Sequence, residues 1–171
     1  KMLFIPAFDP PHKKVLLTFR QRWQMLKLTI DKNSWFELSN IEEKRGGKSF
    51  TIDTLSELKK KYPKDQLYLI MGTDQYAELR NWKNPTKLFE QAKVVVIQRP
   101  GFPRRSFGTK RPVFLKVIQI DIASADIRKR IKQNQSVRYM LPEKVWQYII
   151  RYKLYKQNFP QTPSNRGYSP L

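Results

Sequence analysis

The sequence predicts an α/β fold in which a parallel β-sheet is covered by helices on both faces. Three observations carry that expectation. Runs at residues 2–5, 66–71 and 93–98 are apolar almost throughout, as strands buried on both sides are. Between them lie stretches whose apolar residues return every three or four positions, the helical period. The runs stop at Pro6, Gly72 and Pro100-Gly101, residues that end regular structure. Strands alternating with helices are the raw material of parallel sheets.

The elements follow in order. Residues 2–5 read as a strand and 7–14 as a polar loop stiffened by Pro10 and Pro11. Phe19, Trp23, Leu26 and Ile30 share one helical face, which predicts a helix over about 18–30. Residues 35–38 form a short strand, and 39–48 a loop ending in Gly46-Gly47. Ile52, Leu55 and Leu58 predict a helix from about Thr51 to Lys61, stopped near Pro63. The strand 66–71 ends in a Gly72-Thr73-Asp74 loop. Asn84 is placed to cap the next helix, with Pro85 in its first position. The Val-rich strand 93–98 is followed by a loop at 101–114 and a further strand at 114–120. Ser124 is the expected cap of a helix through Ile131, and Pro142 opens a last helix to about Tyr152. Pro160, Pro163, Ser164, Asn165, Gly167 and Pro170 then predict an extended tail. The organisation expected is one domain, 1–155, and a basic tail, 156–171.

Composition bounds the function. With 171 residues and 40% hydrophobic content, the chain can bury a real core. Without cysteine it has no disulfide framework and no thiolate metal site. One histidine, His12, excludes a multi-histidine metal cluster. No apolar run approaches a membrane span and no signal-peptide pattern opens the chain, so no membrane partner is expected. The sequence begins at Lys1 rather than Met, so a true N-terminus can lie upstream. Thirty-four Lys and Arg against fourteen Asp and Glu give a net charge of +20. Such a balance suits a polyanionic partner, because each phosphate contact releases counterions. The charge is concentrated: no acid falls between Glu90 and Asp121, nor after Glu143.

One stretch stands out chemically. Gly46-Gly47 permits a tight turn, then Lys48-Ser49-Phe50-Thr51 leads into a helix. That pattern leaves backbone N–H groups and side-chain hydroxyls at a helix start, where an anionic or amide-bearing ligand can be held. In a parallel sheet, ligands sit beyond the carboxyl ends of the strands. Residues 6–14, 72–74 and 99–101 are strand-end segments expected to share one rim.

Ile5-Pro6-Ala7 with Pro10-Pro11-His12-Lys13, and Gly46-Gly47-Lys48-Ser49-Phe50-Thr51-Ile52-Asp53-Thr54-Leu55, resemble bacterial nicotinate mononucleotide adenylyltransferases, and Phe19-Arg20-Gln21-Arg22-Trp23-Gln24-Met25 looks most like the cyanobacterial members. So do Tyr68-Leu69-Ile70-Met71-Gly72-Thr73-Asp74, Asn81-Trp82-Lys83, Arg99-Pro100-Gly101, residues 122–128 and Ser136-Val137-Arg138-Tyr139-Met140-Leu141-Pro142. The matches run in family order over roughly 2–155. The resemblance implies a Rossmann-like nucleotidyltransferase fold and transfer of AMP from ATP to nicotinate mononucleotide, with release of pyrophosphate. It implies that His12 and Lys13 lie near the substrate phosphate, Phe50 and Thr51 meet the nicotinate end, and Trp82 stacks on the pyridine ring. It further implies that Gly72 and Asp74 line the adenosine, that Ser124 and Arg128 hold ATP phosphates, and that Mg²⁺ accompanies ATP.

The resemblance also has gaps. The family's opening strand, its His-x-Gly-His motif and its first helix have no match here, so no catalytic residue is assigned. Losing those histidines removes most of the charge stabilisation that phosphoryl transfer uses. The usual Ser-Ser-Thr before Ile127-Arg128 is Ala123-Ser124-Ala125. Two readings therefore stand. In one, the chain belongs to an adenylyltransferase, cytoplasmic if bacterial. In the other, it is an inactive relative serving as a basic RNA-binding subunit of a ribonucleoprotein in an organelle matrix, with Arg104, Arg105, Lys110 and Arg111 on phosphates.

Overall fold

The computed structural model describes residues 1–156 apart from 12, 99–106, 108–109, 119 and 121. The chain divides into two compact units, Lys1–Asp121 and Ile122–Leu171.

In the first unit, β1 (Met2–Phe4) and β2 (Phe36–Leu38) pair in parallel, with Met2 opposite Phe36. The crossover between them is α1 (Phe19–Ile30). Its start is closed by its own side chains: Thr18 accepts from the Gln21 N–H, and Gln21 accepts from the Thr18 N–H. Then come α2 (Ile41–Arg45) and α3 (Thr51–Lys61). The strand β3 (Tyr68–Gly72) runs directly into α4 (Thr73–Ala77), a 3₁₀ turn (Leu79–Asn81) and α5 (Pro85–Gln91). The strands β4 (Lys93–Ile97) and β5 (Val113–Leu115) complete a second parallel sheet in the order β3-β4-β5. All three strand pairs are parallel, as the alternation of apolar runs with helical patterns predicts.

Strand alternation divides the second sheet into two faces. Leu69, Met71, Val94, Val96 and Phe114 face the core, where they meet Ile52 and Leu55 of α3 and Leu88 of α5, together with Leu79 of the 3₁₀ turn. Tyr68, Ile70, Val113 and Leu115 lie at the alternate positions and are about half exposed.

Some expectations are corrected. Residues 41–45, read as loop, form α2, with Glu42 and Glu43 in its first turn and Lys44 and Arg45 in its last, each sign matching the helix dipole. Gly46, at φ 71°, ends it in a conformation that few other residues adopt cheaply. Gly72-Thr73-Asp74 is a strand-to-helix junction rather than a loop. The strand expected over 114–120 spans Val113–Leu115, because its partner β4 ends at Ile97; among the described residues the Gln98 N–H to Leu115 carbonyl bond is the last between them. Asn84 does precede α5, but in the left-handed region and without a capping hydrogen bond.

The second unit holds α6 (Ser124–Lys132) and α7 (Glu143–Arg151). Ile127, Ile131, Val137, Val145, Ile149 and Leu154 are its buried apolar residues. The cap of α6 is Ala123 rather than Ser124, which is already helical. The tail from 157 lies outside the described residues.

Candidate ligand site at the start of α3

The turn between α2 and α3 is clasped to the loop that follows β1. The Ser49 hydroxyl accepts the Phe8 N–H at 2.8 Å and the Asp9 N–H at 3.0 Å, while the Ser49 N–H donates to the Asp9 carbonyl at 2.9 Å. Lys48 Nζ lies 2.8 Å from Asp9 Oδ2. Arg22, from α1, donates to the Ala7 and Phe8 carbonyls on the same loop. Beneath the turn sits Glu42, a carboxylate only 7% exposed. Its Oε1 accepts from the Thr54 hydroxyl at 2.7 Å and its Oε2 from the Phe8 N–H at 3.3 Å. Arg45 donates to the same Thr54 oxygen at 3.1 Å and pairs with Glu57 at 2.8 Å. The buried negative charge thus reaches a guanidinium through one hydroxyl, which offsets its desolvation.

This corrects part of the sequence reading. The hydroxyl of Ser49 is not available to a ligand; it is buried and occupied by two backbone donors. What remains open is the helix start itself. Phe50 caps α3 without a side-chain bond. Among the described residues, the Thr51 hydroxyl and the Thr51 and Ile52 N–H groups make no hydrogen bond.

The residues around that opening come from two places. Phe50 and Trp82 both pack against the main core. Lys83 joins them: its ammonium lies 4.8 Å from the Phe50 ring centroid and bonds both oxygens of Asp53, at 2.9 and 3.1 Å. Lys83, widely separated from Phe50 and Asp53 in sequence, is thereby brought to the α3 start, with Trp82 its neighbour along the chain. Sequence reasoning missed Glu42, Arg45 and Lys83. The signal was there for the first two: opposite charges three apart directly before a glycine pair fit a short capped helix.

The other expected residues are placed as follows. Gly72 ends β3 and Asp74 lies half-buried in the first turn of α4, so both stand at a strand's carboxyl end. On the same helix Tyr76 is 5% exposed, and its hydroxyl is buried with no hydrogen bond among the described residues. Burial raises the Tyr76 phenol above its ordinary range; the Phe107 backbone, close by but outside hydrogen-bond geometry, opposes this more weakly. Lys13 is exposed on the loop after β1, whereas His12 lies outside the described residues. In the second unit, Ser124 and Arg128 occupy the first two turns of α6, whose start also lacks a side-chain cap. Lys110 and Arg111 are exposed ahead of β5; Arg104 and Arg105 lie outside the described residues. No group of three or more His, Cys, Asp or Glu among the described residues could hold a metal ion. No helix among them is long and apolar enough to cross a membrane.

Parallel strands joined through helices place this chain in the α/β class, in which ligands meet the carboxyl ends of the strands. The chain belongs to the cytidylyltransferase-like family, which matches residues 1–130. Within it, the chain is 36% identical to a Clostridium tetani protein named "Probable nicotinate-nucleotide adenylyltransferase", over 91% of this chain and 84% of that one. A Thermus thermophilus protein of the same name is 37% identical, over 91% of this chain and 83% of its own length. In structure the chain is similar to Plasmodium falciparum nicotinic acid mononucleotide adenylyltransferase complexed with NaAD, with a TM-score of 0.73 at 20% identity, covering 90% of this chain and 81% of that one. At that identity the likeness shows the fold.

Proposed function

We propose that this chain serves nicotinate-nucleotide adenylyl transfer, with ATP and nicotinate mononucleotide as its ligands. The observation that carries the reading is the similarity to bacterial relatives of that name, at 36% and 37% identity over more than four-fifths of their length. The α3 start supports it physically. Open N–H groups, a free hydroxyl on Thr51, and Phe50 and Trp82 beside them suit a flat heteroaromatic acid. Gly72, Asp74, Ser124 and Arg128 are assigned to ATP, the last two through helix N-terminal dipole and guanidinium charge.

The mononucleotide phosphate, ionised at neutral pH, attacks the α-phosphorus of ATP in line and expels pyrophosphate. Such a nucleophile needs no general base, so the contribution of these residues is alignment. The two histidines that the resemblance assigns to charge stabilisation have no counterpart among these 171 residues, which contain one histidine. Mg²⁺ accompanies ATP in this reading; the described residues offer no metal cluster of their own, and no step is routed through one.

Titration calorimetry tests the placements. Trp82→Ala is expected to weaken nicotinate mononucleotide about tenfold or more. Arg128→Ala is expected to weaken ATP to a similar degree. Unchanged affinities reject both.

The net charge of +20 lies outside this reaction and favours a second reading, an RNA partner in a ribonucleoprotein. Affinity for structured RNA that falls steeply with salt, and falls again on replacing Lys110 and Arg111, would support it.

A further inference from the structure

We propose that Glu42 is a positioning residue for the mononucleotide: it touches no ligand, and it fixes the loop after β1 and the α3 start in the geometry that binds one. This rests on the reading of the α3 start as the mononucleotide site. Glu42 meets the two segments that make that site at once. One carboxylate oxygen takes the Phe8 N–H from the loop after β1, and the other takes the Thr54 hydroxyl from α3. Arg45 closes the far side through the same hydroxyl. Above it, the Ser49 hydroxyl gathers the Phe8 and Asp9 N–H groups. The next two residues along the chain are Phe50 and Thr51, whose orientation follows from where Ser49 is held.

A buried carboxylate is a poor way to gain stability alone, because its desolvation opposes what its partners return. It does specify direction. A charged acceptor between two donors admits one arrangement of the turn, where an apolar side chain of similar volume would admit several. Removing Glu42 therefore leaves the Phe8 N–H with the Ser49 hydroxyl alone and the Thr54 hydroxyl with only the longer bond to the Phe50 carbonyl, 3.4 Å, so the loop after β1 and α3 lose the group that ties them directly. Sites whose supporting residues slacken by an ångström lose binding without losing the fold.

The experiment measures nicotinate mononucleotide and ATP affinities by calorimetry on the full chain and on Glu42→Ala and Ser49→Ala, with far-UV circular dichroism to confirm folding. Both variants are expected to weaken the mononucleotide by about tenfold or more while ATP stays within about twofold. Faster amide exchange at Phe8 and Asp9 is expected to accompany the loss. Unchanged mononucleotide affinity, or equal loss of both ligands, overturns the positioning role and leaves the ligand assignment standing. If Glu42→Ala does not fold, Ser49→Ala decides alone. If the unaltered chain binds ATP but not the mononucleotide, the ligand assignment itself fails and the inference falls with it.

Discussion

The helices α1 and α3 begin in opposite ways. At α1, Thr18 and Gln21 satisfy each other's backbone donors, so the start is closed from within. At α3 the capping residue is Phe50, whose side chain offers no acceptor, and the start is held from outside by Ser49 and by Glu42, which bonds Thr54 within the helix. A self-capped start is stable and inert. One that is clamped from outside keeps its first N–H groups free, at the cost of a buried charge that needs its own partners. The two constructions predict different consequences for the loss of a hydroxyl.

The largest effect is expected at the clamp. Thr54→Val keeps the shape but leaves Glu42 Oε1 and an Arg45 donor without their shared partner. Glu42 keeps the Phe8 N–H and Arg45 keeps Glu57, so the loss is of hydrogen bonds to charged groups, about 2 kcal/mol, to be read as a fall in the urea midpoint at constant slope. A loss under about 1 kcal/mol would mean that water replaces the hydroxyl and that the clamp is not dry.

A second variant turns an open start into a closed one. Ala123, the cap of α6, has φ −100° and ψ 139°, the extended geometry from which a capping side chain bonds the first turn. Ala123→Asp is expected to add about 1 kcal/mol of stability. It is also expected to weaken ATP about tenfold by placing a negative charge where phosphates are assigned. Stability gained with ATP affinity intact would remove α6 from the site.

Thr18→Ala gives the matching control. It should cost about 1 kcal/mol, the ordinary worth of an N-cap, and change neither ligand's affinity.

Much of this was legible in the sequence, and the part that was not has a common cause. Periodicity is local, and it placed α1, α3, β3 and β4 to within a residue or two, since each has an apolar face or run of its own. The end of β5 depends on where β4 stops, which no feature of Phe114 or Lys116 reveals. The site divides the same way. Phe50, Thr51 and Trp82 could be named from their motifs. That Lys83 bridges Phe50 to Asp53, or that Ser49 is consumed by Phe8 and Asp9, are contacts across about thirty to forty positions. Glu42 looked like one of several loop acids; only its burial sets it apart from Glu43 beside it.

The smallest expected effect concerns a third start, that of α4. Tyr76 packs edge-on against Phe114, 5.8 Å between ring centroids, with its hydroxyl buried and without a hydrogen bond among the described residues. Tyr76→Phe keeps the ring contact and removes that hydroxyl, so it should be neutral or stabilising by up to about 1 kcal/mol. The pH dependence gives an independent reading. Burial raises the phenol's folded pKa above its unfolded value near 10, so the folded chain holds this proton more tightly than the unfolded chain. The linked stability is fully present below pH 10 and is lost as pH rises through the folded value. Chemical denaturation between pH 8 and about 11 should therefore show a decline in the parent chain that is shallower in Tyr76→Phe. Parallel declines would mean that the hydroxyl is solvated in the native state and that its burial carries no penalty.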